Sequence, residues 1–245
     1  MLRLHMTLGD KGGIGKSFIA SLMAQYYLDN VTNVNLTCLD LDPKNRTFSR
    51  YAGLDVDFID VQSDGDIDRE KFDLFVNRVV SAGDDGEVIA DVGGNIYISL
   101  TDYLRVNEVL QVFIAMGVQV ILHVPIVGAG DLFPTLKTLD ELAASTPEEA
   151  QIAIWINQKN GRVEHNGKSF EESERATDYG TRIRAVTYIP LWRPDMQVSV
   201  AAMLEEAVTF NAVMGMPIFD IMGKQRVRMA QRYLYQAIEK SGVCI

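Results

Sequence analysis

The stretch GDKGGIGKSFIA, residues 9–20, decides how the chain is read, because its core GKSF returns at 167–170 within VEHNGKSFEES, residues 163–173. A glycine, a lysine and a hydroxyl in succession hold a phosphate only in a particular setting. A strand must deliver the chain to a sheet edge, a glycine-rich turn must let backbone N–H groups converge, and a helix must begin with its positive end facing the anion. The first copy has all three. Leu2, Leu4, Met6 and Leu8 alternate as a strand, Asp10–Gly15 is a loop with glycines at 12, 13 and 15, and Ile19, Leu22, Met23 and Tyr26 follow at helical spacing. The pattern predicts a phosphate loop in which Lys16 reaches the terminal phosphates and Ser17 binds Mg²⁺. The second copy has no strand running into it and one glycine before its lysine. Asn166-Gly167 reads as a tight type I′ turn, and Ser169 with Glu172 as a capping box that opens a helix.

Outward from the loop, apolar runs alternate with amphipathic segments. Strands are predicted at Val34–Asp40, Val56–Val61, Glu87–Asp91, Val118–Val124, Ile152–Ile156 and Ala185–Ile189. Helices are predicted after Asp68, over Tyr103–Met116 with Thr101 as cap, from Asp131 as cap through Leu142, around Val200–Val208, and in the basic tail. This alternation implies an α/β fold, a doubly wound and mostly parallel sheet with helices on both faces. One domain over residues 1–245 is expected, with no internal repeat and no linker. Residues 158–182 are the least regular.

Composition narrows the function classes. A net charge of −10 argues against a surface built broadly for nucleic acid. Between Asp55 and Asp91 there are twelve acids against three bases, whereas from Met222 onward five bases face one acid, Glu239. That tail reads first as a packed terminal helix with a charged outer face; contact with DNA or a membrane is the less favoured alternative. Two distant cysteines, Cys38 and Cys244, with no apolar leader, fit a cytoplasmic protein without a disulfide scaffold. Residues 109–130 carry no charge, yet Gly117 and Pro125 interrupt them, so a helix followed by a buried strand is expected rather than a membrane span. His5, His123 and His165 lack metal-ligand spacing and read as structural.

In a parallel sheet the acids of CLDLDP and EVIADVGGN meet the loop at the carboxyl ends of the strands. Asp91 is expected to hold Mg²⁺ through water, and Asp42 to lie near an attacking water and the metal. Gly93 and Gly94 would let the backbone approach a γ-phosphate.

These residues resemble the deviant Walker A ATPases of the ParA/MinD family. KGGIGKS carries their extra lysine at the loop start, Lys11; DLDP is similar to their switch I, and IADVGG to their Walker B and switch II. GDKGGIGKSFIA, EHNGKSFEES and the chain length are similar to the ParA-like proteins of conjugative plasmid transfer regions, with which the segment carrying the second GKSF is associated. The resemblance covers most of the chain. It implies ATP and Mg²⁺ as cofactors, a loop of Lys11, Gly12, Gly13, Ile14, Gly15, Lys16, Ser17 and Phe18 around the phosphates, and Lys11 crossing a homodimer interface to the partner's nucleotide. It implies that Asp42 serves hydrolysis, that Asn157 recognises adenine, and that Pro190 and Leu191 pack on the base. An unidentified protein of a plasmid transfer or partition system is the implied partner. Two positions depart from the family. Asp10 puts a carboxylate beside an anion site, and Phe18 loses a hydroxyl contact, although its backbone N–H can still bind the α-phosphate.

The leading expectation is a slow ATPase acting as a dimer switch. A metabolic ligase on the same loop, or a module that binds nucleotide without turnover, are the alternatives. An iron protein of the nitrogenase type is disfavoured, because neither cysteine lies in a loop after a strand.

Overall fold

A computed structural model describes residues 1–244. In chain order the elements are β1 (Arg3–Thr7), α1 (Lys16–Asn30), β2 (Asn35–Asp40), β3 (Val56–Phe58), β4 (Gln62–Ser63), β5 (Asp66–Ile67), α2 (Phe72–Val80), β6 (Gly86–Asp91), α3 (Tyr97–Val106) and α4 (Val109–Ala115). There follow β7 (Gln119–Val127), α5 (Leu132–Ser145), β8 (Gln151–Asn157), α6 (Glu174–Asp178), β9 (Ile183–Ile189), α7 (Pro194–Glu205), α8 (Phe210–Val213) and α9 (Ile221–Ser241).

Seven strands form one sheet in the order β3-β2-β6-β1-β7-β8-β9, and every pairing in it is parallel. Parallel pairing forces long crossovers, so both faces are covered by helices and the strands read as near-continuous apolar runs. Strand alternation divides the core in two. Leu4, Met6, Val88, Leu122 and Ile154 point to the face covered by α2 to α5, where Phe72, Phe75, Leu100, Phe113 and Leu139 are fully buried. Ile89, Ile121, Ala153 and Trp155 point to the other face, beneath α1, α8 and α9. Because all seven strands run the same way, the loops after β1, β2, β6, β7, β8 and β9 gather at one edge, where open α/β sheets bind ligands.

Beneath α1 a buried hydrogen-bonded chain crosses the sheet. The Trp155 indole donates to His123 Nδ1 at 2.9 Å, His123 Nε2 meets His5 Nδ1 at 2.8 Å, His5 Nε2 meets the Tyr27 hydroxyl at 3.1 Å, and that hydroxyl donates to the Cys244 carbonyl at 3.1 Å. Glu87 lies 3.4 Å from His5 Nε2 and pairs with Arg3. The histidines are structural, and no spacing rule could have paired residues 118 positions apart.

Several elements differ from the sequence expectation. The helix expected over 103–116 is two, α3 and α4, broken where Glu108 takes a left-handed backbone (φ 52°). Thr101 does not cap; it lies inside α3 and its hydroxyl donates back to the Tyr97 carbonyl at 2.8 Å, the local alternative that hydroxyl side chains take in a helix interior. The strand expected to reach Val61 ends at Phe58, and a small antiparallel hairpin, β4–β5, follows. Asp131 stands at the head of α5, but its side chain accepts no bond from the helix amides. Residues 109–130 resolve into α4, a turn at Gly117 (φ 80°) and the buried β7. No helix among the described residues is long and apolar enough to cross a membrane.

Candidate phosphate and base site

The loop between β1 and α1 has the geometry that its sequence predicts. Gly13 (φ 72°) and Gly15 (φ 106°) occupy backbone regions that side chains disfavour, and the Gly15 carbonyl accepts the first α1 bond, from Ile19 N–H at 2.9 Å. Lys16 is largely buried, and its ammonium donates to the Lys11 carbonyl at 2.8 Å across the loop. Burial pulls the Lys16 pKa below its ordinary value, against Asp91, Asp42 and Asp10, which raise it. A cation held among carboxylates inside a ring of backbone amides suits a polyanion.

Two carboxylates face it. Asp91, at the end of β6, is fully buried and accepts from the Thr7 hydroxyl at 2.8 Å. Burial pushes its pKa up to about 6, partly countered by hydrogen bonds from Ser17 and Thr7 and by Lys16. Asp42 organises the loop after β2: one oxygen accepts from Lys44 N–H at 3.0 Å and Asn45 N–H at 3.1 Å, and the other from the Asn45 amide at 2.9 Å. Asp40 turns away from the loop and ties down Ser49 and the Asp42 amide. Gly93 fits because a Cβ there would stand 2.7 Å from Asp42 Cγ, and Gly94 because one would stand 2.8 Å from the Asp10 carbonyl. The loops after β2 and β6 therefore interlock, and the latter touches the phosphate loop.

Among the described residues no group of three or more His, Cys, Asp or Glu side chains could hold a metal unaided. The donors do fit magnesium bound together with phosphates. Mg²⁺ keeps several waters and takes one or two carboxylates plus phosphate oxygens, and a serine hydroxyl beside the buried, undercompensated Asp91 is such a set. Ser17 would contact the ion, with Asp91 and Asp42 reaching it through water.

A second concavity adjoins the loop. Gly13, Gly15, Phe18, Asn157, Ile189, Pro190, Leu191 and Trp192 line an open cleft of about 260 Å³, bordered also by Lys159 and by Gln197, Val200 and Leu204 of α7. Its walls are apolar, with a few polar groups and no carboxylate, the usual character of a small-ligand pocket. The Asn157 amide donates to the Ile14 carbonyl at 3.0 Å, and its oxygen accepts from Lys159 N–H at 3.2 Å; the Lys159 ammonium bonds the Gly13 carbonyl. Asn157 thus braces the phosphate loop as well as lining the pocket. The sequence reading missed Lys159, Trp192 and the α7 residues. Trp192 directly follows Leu191 and was within reach of that reading; the α7 wall depends on tertiary packing and left no sequence signal.

Lys11 is partly exposed, yet it is tied down within its own subunit. Its ammonium pairs with Asp131 at the head of α5. Asp10 turns its carboxylate away from the loop interior, accepting from the Thr138 hydroxyl of α5 at 3.0 Å. The second GKSF lies on the other side of α5. Asn166 (φ 54°) and Gly167 (φ 73°) form a tight turn closed by paired backbone bonds between His165 and Lys168, at 3.0 and 3.1 Å. Glu172 accepts from Ser169 N–H at 2.8 Å, but the helix starts later, with Ser173 capping α6. The expected capping box is therefore half present, a turn preceding the helix. Both cysteines are buried, and burial raises each thiol to about 12.

No family model matches the sequence. Two curated relatives from Escherichia coli, each named Protein TraL, are 32% identical to this chain over 244 residues, covering 99% of it and 100% of themselves. Among solved structures, the signal recognition particle receptor FtsY of Elizabethkingia anophelis in complex with GDP is similar at TM-score 0.47 and 15% identity, covering 84% of this chain and 64% of that one.

Proposed function

The chain belongs to the TraL family, and from that premise we propose that it is a magnesium-dependent ATPase that cycles between a monomer and an ATP-bound homodimer, serving plasmid conjugative transfer or partition with a protein partner yet to be identified. The observation that carries the reading is the junction of two sites on one loop. Gly13 and Gly15 face the phosphate cradle and also line the base cavity, with Lys16 on one side and Asn157 on the other.

Adenine is the base this cavity favours. Guanine presents two adjacent donors, N1–H and the exocyclic amine, which call for a carboxylate acceptor, and none lines the cavity. Adenine needs one acceptor and one donor, which amides such as Asn157 and Gln197 supply. Phe18, Leu191 and Trp192 offer apolar and aromatic surface for the base faces.

The chemistry asked of the chain is positional. Loop amides and Lys16 hold the phosphates, and Ser17, with Asp91 and Asp42 through water, would hold the ion, which would neutralise charge on the transferring phosphoryl group. Asp42 orients the attacking water. Its loop abuts the Gly93–Gly94 turn, so loss of the γ-phosphate relaxes both loops together and opens the dimer.

Calorimetric titration with ATP and GTP, light scattering with and without ATP and Mg²⁺, and phosphate release test the reading together. ATP should bind at least about tenfold more tightly than GTP, given the cost of leaving guanine donors unpaired. ATP should also double the scattering mass. Asp42→Asn should retain ATP and the dimer while turnover falls by about 100-fold or more. A preference for GTP, or parent-like turnover in Asp42→Asn, would overturn the assignment.

A further inference from the structure

Lys11 opens the phosphate loop with its side chain about two-fifths exposed, yet its ammonium is engaged by Asp131 Oδ1. Asp131 is directed there by its surroundings. It occupies the head of α5 in a helical backbone conformation (φ −94°, ψ −6°), and its carboxylate accepts nothing from the α5 amides. Its second oxygen accepts from the Asn160 amide at 3.2 Å. Asn160 belongs to the turn after β8, whose Lys159 grips the Gly13 carbonyl and lines the base cavity. The segment before Asp131 is also fixed. Ala129 has a left-handed backbone (φ 57°), and Gly128 lies so close to Arg162 that a Cβ would stand 2.6 Å from its carbonyl oxygen. The hydrogen bond from Lys11 is the main cause holding the Asp131 carboxyl below the usual carboxylate range.

We propose that Asp131 is a positioning residue that holds Lys11 within its own subunit, so that this pair must open before Lys11 can serve a nucleotide on a second copy. The inference rests on the dimer-switch reading above and adds its restraint. A cation that crosses an interface must first leave its acceptor at home. That acceptor competes directly with the partner's phosphates, and an unpaired loop lysine would have no such cost. The restraint is weak by design of its exposure: a solvent-facing ion pair shifts an equilibrium by about fivefold at most. Two pairs open per symmetric dimer, so the ceiling is about 25-fold in the dimerisation constant. Restraint of that size sets a threshold for assembly without preventing it.

The test uses Asp131→Asn, which keeps the size and the polar contact with Asn160 but removes the charge. Reductive methylation of Lys11 in the nucleotide-free full-length protein, read by peptide mass spectrometry against exposed Lys137 on α5 as internal reference, reports the pair directly. Labelling at Lys11 should be several-fold faster in Asp131→Asn than in the parent, with Lys137 unchanged. Light scattering in ATP and Mg²⁺ should show the dimer forming at a several-fold lower protein concentration, and that gain should vanish in Lys11→Ala/Asp131→Asn. Equal labelling in the two proteins overturns the proposal, as does an unchanged or weaker dimer in Asp131→Asn. A parent that stays monomeric with ATP while Asp131→Asn speeds labelling overturns the dimer-switch reading and the restraint built on it, and leaves the ion pair standing as a contact. The two failures are therefore distinguishable.

Discussion

Residues 15–18 and 167–170 are the same four letters, and the molecule uses them in opposite ways. In the first copy the glycine ends a loop and the lysine begins a helix fifteen residues long. Lys16 is buried with its charge turned inward, Ser17 faces Asp91, and Phe18 lines the apolar cavity beside the loop. In the second copy the glycine is the tip of a hairpin. Lys168 closes that hairpin with its backbone, Ser169 N–H donates to Glu172, and Phe170 is buried in the core on the α5 side. What the motif becomes is thus set by what precedes and follows it: in the first copy a central parallel strand comes before it and a long helix after it.

The largest difference between the copies should appear at the lysines. Lys16→Ala is expected to weaken ATP binding by about 100-fold or more, since each charge-assisted hydrogen bond contributes about 1.5–3 kcal/mol. Lys168→Ala should leave the affinity within about twofold, a change of under 0.5 kcal/mol. Titration calorimetry on both variants decides, and equal losses would erase the distinction. The glycines sharpen it at a smaller scale. At Gly15 a methyl group would meet the Asn157 amide at 2.8 Å in a backbone conformation with φ 106°. Gly15→Ala should therefore lower both melting temperature and ATP affinity. At Gly167 the backbone is left-handed but the space is open, so Gly167→Ala should cost about 1–2 kcal/mol of stability, the usual penalty for a side chain there, with ATP affinity unchanged. Parallel thermal melts and titrations separate the two cases.

The regular elements that position the site were legible in the sequence because local pattern decides them. Alternation in Leu2–Leu8, the glycines at 12, 13 and 15, and the apolar spacing of α1 each point to the same structure. Where the reading missed, either a tertiary contact or a nearby competing helix start outbid the local rule. Asp131 has the spacing of a helix cap and serves Lys11 instead. Thr101 has the chemistry of a cap and lies inside a helix that begins earlier, at Tyr97. Ser169 starts a turn because the helix is capped four residues on, by Ser173. The cavity beside the loop was half visible: Asn157, Pro190 and Leu191 end strands or follow them, whereas its α7 wall comes from a helix whose approach no periodicity encodes.

The chain of bonds from Trp155 to Cys244 also has a direction, and it makes folding count protons. The Trp155 indole can only donate, so His123 accepts at Nδ1 and carries its hydrogen on Nε2; His5 must then accept at Nδ1, and its own hydrogen faces Tyr27 and Glu87. Adding a proton to His123 would set donor against donor. Burial accordingly holds His5 below its ordinary pKa and His123 well below it. The unfolded chain takes up those protons from about pH 6.5 downward while the folded chain refuses them, so stability falls with acid by up to about 1.4 kcal/mol per pH unit for each imidazole. Denaturant midpoints measured between neutral pH and pH 5 should track that slope. Acid sensitivity in this protein would then originate in the middle of the sheet, on the strand that supplies Asn157 two residues later.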